Sequence, residues 1–483
     1  KITIMKIERG QASFIKMTPL LIGVFFTIVI DETVTGITLP LIQKEFNLTP
    51  DIVQWFSSIY YISNSAFAIP LAHIGDYYGY RKCIQIFFLV AAICQICTFL
   101  IPNFYVLLIF RFITGFAYAG ANSTRNTMLS QFFKNEEKQS NIFKSVIINN
   151  SMSIIMPILG GSISQYCGWR YVYLIACIAA ILMIFVCFMY TNFKKPNETE
   201  EVASLNTEVQ NDKNPKVQND KFDFNGTLIV TIFMISFCLS FTLLSSKQYI
   251  EFGVTIIISI LSLILLIIVE KRSDNPILPS YIFKKPMALF LYFNCQLYFL
   301  TTIYNWMVPQ ILYHFDQQQT FVGIMTGIQA IFCMISSIVT PQLLKCFASK
   351  IAIMFSYVGV TACFLGMIFS LSNIWATASV YIISFFFFAI QMQLVYVFII
   401  SSTTIAESST MAGMPTSSRT IGQSVSLCLF SAIQQIVLKQ TQNFIFSFQS
   451  ILFVMLAFSC FGIVLAWFLG DLKGEEGKIG TKK

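Results

Sequence analysis

Two adjacent carboxylates lie in the middle of the first long apolar run of the sequence. Asp31 and Glu32 interrupt the run 17–41. A charged side chain at the centre of a bilayer costs about 2.5–3.5 kcal/mol on insertion scales. Burial and mutual repulsion both favour the protonated form, so we expect at least one of the two groups to bind and release protons. Because adjacent helical residues point about 100° apart, only one should face an internal cavity, and we predict Asp31. The alternative is a structural pair that hydrogen-bonds neighbouring helices.

A third charge, Arg111, lies within the apolar run 104–130. A guanidinium group at that depth requires a carboxylate or carbonyl partner, and Asp31 and Glu32 are the nearest plausible ones. Such a cation can tune proton binding and release the proton when a ligand arrives. A purely structural ion pair is the alternative.

Helices that span a membrane must position these three residues. Of the 483 residues, 56% are hydrophobic and 11% are charged, whereas soluble domains carry about 25% charged residues. Because backbone polar groups cannot stay unpaired in lipid, apolar runs of spanning length must be helical. We predict an all-α polytopic protein with fourteen spans, at residues 17–41, 52–74, 83–101, 104–130, 143–165, 169–190, 225–245, 250–269, 287–312, 319–343, 351–371, 375–401, 413–437 and 446–470.

A polar stretch at residues 191–223 divides the spans. Its content of Asn, Lys, Glu and Asp predicts a disordered cytoplasmic linker. It separates six predicted spans at 17–190 from eight at 224–470, and the predicted tails are residues 1–16 and 471–483. The sequence begins with Lys, and Met5 is a candidate start.

The basic residues indicate the orientation of the chain. With both termini in the cytoplasm, the outer loops hold only Lys44, Arg170, Lys247 and Lys439, and Arg111 lies within a span. The rest of the 31 Lys and Arg fall in inner loops, span ends and tails, as the positive-inside rule requires. This scatter forms no continuous basic face, which excludes nucleic acid as a partner. We expect the plasma membrane, with a vacuolar or lysosomal membrane as the alternative.

The loop between the second and third predicted spans carries both glycine and charge. Gly75 and Gly79 permit a tight turn, and Asp76 can cap the following backbone and pair with a cation. Together with Arg81, these residues are predicted to form a cytoplasmic gating loop.

The fifth predicted span contains Pro157 followed by Gly160 and Gly161. A proline within a helix predicts a kink, and small residues allow another helix to approach closely. We therefore expect a bent helix with a tight contact at this point.

Polar residues in other spans are candidates for the wall of a substrate cavity, and the same residues can instead hydrogen-bond between helices. The four chosen as cavity residues are Asn149, Tyr304, Asn305 and Gln391. No nucleotide-binding loop, catalytic serine motif or paired metal cluster appears, which predicts a protein that is not an enzyme and has no cofactor and no metal.

Several segments resemble motifs of the major facilitator superfamily. Loop 72–82 is similar to its signature G-x-L-a-D-r-x-G-r-k, and residues 31–40 resemble the first-span motif of its fourteen-span drug:proton antiporters. Arg111 with Gly115 is similar to the fourth-span motif R-x-x-q-G. Residues 156–161 match only the end of the antiporter motif G-x-x-x-G-P-x-x-G-G, with Met156 where Gly is expected.

The second half of the chain is also similar to this family. Residues 223–226 resemble the D-x-x-G that opens its seventh span, and residues 418–424 resemble a late motif of the family. Residues 341–350, where the acidic loop motif should repeat, contain no Asp or Glu.

The resemblance implies a six-helix bundle at 17–190, two inserted spans at 224–270 and a second six-helix bundle at 271–470. The two bundles would enclose a central cavity and act as a monomer by alternating access. It implies proton-coupled export of small amphipathic or cationic compounds, in which Asp31, alone or shared with Glu32, carries the proton and Arg111 tunes it. One alternative is proton-coupled uptake or facilitated diffusion of a nutrient such as an amino acid or sugar. Another is a membrane receptor or scaffold that transports nothing.

Overall fold

The computed structural model describes residues 14–132, 135–189, 224–245, 248–272, 287–315, 317–401 and 408–468. Within these ranges the regular structure is entirely helical, as predicted. The polar stretch 191–223 and most of both predicted tails lie outside the described residues.

Fifteen helices follow one another along the described ranges. They are α1 (Phe14–Glu45), α2 (Pro50–Val53), α3 (Trp55–Tyr78), α4 (Tyr80–Leu100), α5 (Phe104–Phe132), α6 (Asn135–Tyr166), α7 (Arg170–Phe188), α8 (Phe224–Ser245), α9 (Tyr249–Arg272), α10 (Met287–His314), α11 (Gln319–Cys346), α12 (Ser349–Ser370), α13 (Ile374–Ser401), α14 (Ser408–Thr441) and α15 (Phe444–Trp467).

Thirteen of the described helices are long and apolar enough to cross a membrane. Helix α3 matches the remaining predicted span in length, but it is too polar to meet the same test. Its polar side chains are buried, including those of Ser58, Ser63, Asn64 and Ser65. Because α3 packs against α5, α8 and α14, protein rather than lipid surrounds these groups, and this accounts for their presence in a membrane-spanning helix.

The helices pack as two groups with a linking pair. In the first group α1 contacts α6 and α7, α3 contacts α5, and α4 contacts α5 and α7. In the second group α10 contacts α13 and α14, α13 contacts α11 and α12, and α15 contacts α12 and α14. Helix α8 contacts both α3 and α14, whereas the apolar side chains of α9 are largely exposed, as expected for a surface that faces lipid.

The two groups meet along α3 with α14 and along α6 with α11. A Cβ atom on Gly413 of α14 would lie 2.7 Å from the Ala68 carbonyl oxygen of α3, and one on Gly161 of α6 would lie 2.6 Å from the Gln319 carbonyl oxygen of α11. A Cβ atom on Gly323 of α11 would overlap the Pro157 carbonyl oxygen. Backbone therefore packs directly on backbone at this interface, which only glycine permits.

We expect Gly323→Val to separate α6 from α11 and to lower the melting temperature of the purified protein in detergent by several degrees. Overpacking of this kind typically costs about 1–3 kcal/mol. Gly253→Val in α9 is the matched control, because nothing lies within 4 Å of a Cβ atom there. Equal melting temperatures for the two variants would show that the contact does not hold the groups together.

Candidate functional site

Asp31 and Arg111 form a buried ion pair between α1 and α5. The Arg111 Nη1 atom lies 2.5 Å from Asp31 Oδ1, and each residue is 1% exposed. Arg111 Nε also donates to the Phe56 carbonyl oxygen at 3.2 Å, and Nη2 donates to Thr35 Oγ1 at 3.4 Å. Asp31 Oδ2 makes no hydrogen bond. The pair therefore joins two helices of the first group without reaching the second.

Aromatic rings enclose the Arg111 guanidinium group. Its central carbon lies 4.7 Å from the ring centre of Phe56, 4.8 Å from that of Tyr60 and 5.7 Å from that of Tyr173. Rings at these distances attract a cation through their quadrupole, and they also exclude water. The Asp31–Arg111 pair is thus sealed from solvent on this side.

Glu32 points to the opposite side of α1 and pairs with Arg419 of α14. The Arg419 Nη2 atom donates to Glu32 Oε1 at 2.7 Å, and Nη1 donates to Oε2 at 3.1 Å. This is the two-pronged geometry in which guanidinium and carboxylate bind most strongly. Unlike the Asp31 pair, it links the two groups of helices.

A central cavity of about 250 Å³ lies between the two groups. The residues that line it come from α1, α3, α5, α6, α10, α11, α13 and α14, and its charged members are Glu32, Arg125 and Arg419. The prediction that Asp31 faces the cavity is therefore wrong. Glu32 faces it, because the helical turn of about 100° between neighbours carries Asp31 toward Arg111.

Only half of the predicted cavity residues line the cavity. Asn149 of α6 and Asn305 of α10 do. Tyr304, one position before Asn305, turns into the second group and packs against Phe364 and Tyr381. Gln391 of α13 is fully buried and does not line the cavity. All four predicted residues lie on helices that line the cavity, but two of them, Tyr304 and Gln391, face away from it. Residue polarity alone does not tell which side of a helix faces the cavity.

Arg125 and Arg419 were not predicted to line the cavity. The positive-inside rule counts them among the basic residues at the inner ends of spans. Both line the cavity instead. Arg125 Nη2 donates to Asn126 Oδ1 at 2.8 Å, and Asn126 Oδ1 also accepts from the Tyr396 hydroxyl at 2.9 Å. Asn122 Nδ2 donates to Thr416 Oγ1 at 3.2 Å. The polar run Asn122 to Asn126 within an apolar span was the signal available in the sequence.

The predicted gating loop is a one-residue connection between α3 and α4. Gly79 has φ 87°, a conformation that favours glycine, and its N–H donates to the Gly75 carbonyl oxygen at 2.9 Å. The Arg81 guanidinium lies 5.2 Å from the ring centre of Phe188. The side chain of Asp76 lies outside the part of the molecule that the structure describes, so its gating role stays a prediction.

Pro157, Gly160 and Gly161 lie where α6 meets two other helices. Pro157 and Gly161 face α11, whereas a Cβ atom on Gly160 would overlap the Val34 side chain of α1. These residues therefore bring α6 close to the helix that carries both carboxylates. They lie in the packing around the site and outside the cavity wall.

The profile of the Major Facilitator Superfamily matches residues 21–427, so the chain belongs to that family of membrane transporters. The quinolone resistance protein NorB of Staphylococcus aureus strain MRSA252 is 24% identical over 253 residues, which cover 51% of this chain and 49% of that protein. NorB of strain Newman shows the same identity and coverage. The chain thus spans about half the length of these curated relatives.

The crystal structure of the human organic anion transporter MFSD10 (TETRAN) has a similar fold. Its TM-score is 0.63, with 93% of this chain and 99% of that chain covered and 12% sequence identity. At this identity the likeness shows the fold alone. It agrees with the predicted all-helical transporter architecture.

We expect Asp31→Asn and Arg111→Gln each to destabilise the protein by about 3–5 kcal/mol, because each leaves one buried charge without its partner. The double variant should melt at a higher temperature than either single variant. Thermal unfolding in detergent measures both effects.

Glu45→Gln is the control, because Glu45 pairs with Arg170 in a partly exposed position. Such pairs contribute at most about 1 kcal/mol. If the losses of the two single variants simply add in the double variant, Asp31 and Arg111 do not act as a pair.

Proposed function

We propose that the chain is a proton-coupled secondary transporter of small amphipathic compounds that works as a monomer by alternating access. The observation that carries the proposal is that two neighbouring carboxylates of α1 form ion pairs with different helices. Asp31 pairs within the first group of helices, and Glu32 pairs across the cavity with Arg419 of the second. A proton that reaches Glu32 therefore acts on the link between the groups.

Glu32 is the proton-exchanging group in this proposal. Its side chain lines the cavity, so water or a substrate in the cavity can reach it. Protonation removes its charge, breaks the charge-assisted pair with Arg419 and frees the two groups to rock apart. Asp31 keeps Arg111 neutralised while this happens. The family resemblance implies instead that Asp31, alone or shared with Glu32, carries the proton; this proposal assigns the proton to Glu32.

The close contacts between the groups complete the proposed cycle. Backbone packs on backbone where α3 meets α14 and where α6 meets α11. Such smooth contacts allow one bundle to tilt on the other with few side chains to disengage, which is what rocking around a central site requires.

The direction of transport has two candidates. Export in exchange for protons is supported by relatives named for quinolone resistance, since removal of a compound protects a cell. Uptake together with protons is supported by the cavity itself, whose walls carry two guanidinium groups and one carboxylate. Because the cavity wall carries more positive than negative charge, it does not favour a cationic cargo.

The proposed orientation in the membrane follows from the positions of the basic residues in the sequence. Both termini face the cytoplasm, and the plasma membrane is the proposed location, with a vacuolar or lysosomal membrane as the alternative. A receptor or scaffold that transports nothing would show no flux of any probe.

We expect Glu32→Gln to slow proton movement at least tenfold in liposomes that hold the purified protein and a pH-sensitive dye. The probe is norfloxacin, a quinolone, added on one side of the membrane. Glu45→Gln is the matched control, since Glu45 lies outside the cavity and keeps an oxygen to accept hydrogen bonds. Probe and protons moving in opposite directions indicate exchange, and movement in one direction indicates uptake with protons.

Two outcomes would contradict the proposal. Norfloxacin flux without proton movement in the unaltered protein would exclude coupling. Proton movement that survives Glu32→Gln would exclude Glu32 as the exchanging group.

A further inference from the structure

The charges of the central cavity do not balance. Among its described lining residues, Glu32 is the acidic one, and Arg125 and Arg419 are the basic ones. Both oxygens of Glu32 already accept hydrogen bonds from Arg419. Within the described part of the chain, no carboxylate forms an ion pair with Arg125, which is 5% exposed.

Arg125 is held in place by neighbouring side chains, but not all of its N–H groups have a hydrogen-bond acceptor. One guanidinium nitrogen donates to Asn126, and the guanidinium carbon lies 4.1 Å from the ring centre of Phe25. Its Nε atom is buried and has no hydrogen-bond acceptor. A charge buried in a membrane protein without a counter-ion is costly, so the molecule gains when an anion enters beside it. A guanidinium group matches a carboxylate in shape and in charge, and the unpaired Nε–H of Arg125 can donate to one.

The rest of the cavity fits the apolar body of such an anion. Phe25, Leu297, Trp306, Phe385 and Phe388 are among its lining residues. A cavity of about 150 Å³ with apolar walls is enough to hold benzene. The present one, at about 250 Å³, therefore has room for a single ring that carries a carboxylate.

We propose that the cavity binds a small organic monoanion, with its carboxylate on Arg125, and that the anion is carried together with a proton on Glu32. This inference rests on the proposed function, because it takes the cavity as the transport site. It names the class of cargo and the direction of coupling, neither of which follows from the family.

Linkage between the two ligands gives the direction. Ionised Glu32 repels an anion in the same cavity and occupies Arg419. A proton on Glu32 removes the repulsion and releases Arg419 to help Arg125 hold the carboxylate. Because coupling is reciprocal, the bound anion must strengthen proton binding by the same factor. Proton and anion therefore load together, which favours transport in the same direction.

The groups that face Glu32 from other helices are mainly cationic or aromatic. They are Arg419 of α14, Arg125 of α5, Tyr60 and Tyr61 of α3, Tyr298 of α10 and Tyr396 of α13. The neighbouring acid on α1, Asp31, is neutralised by Arg111. Among the described residues that line the cavity, Glu32 is thus the carboxylate that a proton or an anion in the cavity can reach.

The test measures equilibrium binding to the full chain in detergent by calorimetry and thermal shift. The probes are benzoate, benzamide and benzylamine, which share a ring and differ in charge. We expect benzoate to bind, and to bind at least tenfold more tightly at pH 5.5 than at pH 7.5. We expect benzamide and benzylamine to raise the melting temperature little or not at all.

Three variants separate a binding role of Arg125 from a structural one. Arg125→Gln should weaken benzoate binding at least tenfold, and Arg125→Lys should restore part of it. Glu32→Gln, which imitates the protonated form, should bind benzoate tightly at both pH values. Arg272→Gln, at the exposed end of α9, is the control and should behave like the unaltered protein.

Several outcomes would overturn the inference. They are the absence of benzoate binding, tighter binding of benzylamine, or an Arg125→Gln variant that melts earlier yet binds benzoate as before. None of these results bears on whether protons move with a substrate in liposomes. Conversely, benzoate binding without any proton movement would leave this site intact and contradict the proposed transport function.

Discussion

An unpaired charge is expensive wherever water is absent, and this constraint governs the centre of the molecule. Helix α1 carries two consecutive carboxylates, which a helix must present on different sides. Each carboxylate therefore pairs with a different guanidinium group: Asp31 with Arg111, and Glu32 with Arg419. One pair fastens α1 to its own group of helices, and the other ties that group to its counterpart. Two adjacent residues therefore stabilise different contacts, one within a group of helices and one between the groups.

The same constraint explains the surroundings of these pairs. Helix α3 has too many polar side chains for contact with lipid, and it is shielded by α5, α8 and α14. Helix α8 gains a function from this arrangement, because it covers the seam between α3 and α14, with its Thr242 side chain 2.9 Å from Cys428. Helix α9 packs on α8, and its apolar side chains are largely exposed. Helix α8 thus covers a polar interface that would otherwise be exposed on the outer surface of the bundle.

The cavity follows from how the groups meet. Glycine contacts at α3–α14 and α6–α11 bring backbones together on two sides, and the central cavity lies between the two groups. Into this space project one carboxylate and two guanidinium groups. The excess positive charge is the basis of the proposed preference for an anion. The family relationship does not supply such a preference, since members of one superfamily share a fold and differ in their sites.

The sequence by itself determined the all-helical membrane fold and the number of long helices, and it singled out Asp31, Glu32 and Arg111 as charges within the spans. Apolar run length and the cost of buried charge are local properties, so they can be read from one segment at a time. Only the tertiary structure decided that Glu32 faces the cavity, that Tyr304 turns away from it and that Arg125 and Arg419 line it. Those facts depend on the rotation of each helix about its axis, which is fixed by packing between segments hundreds of residues apart.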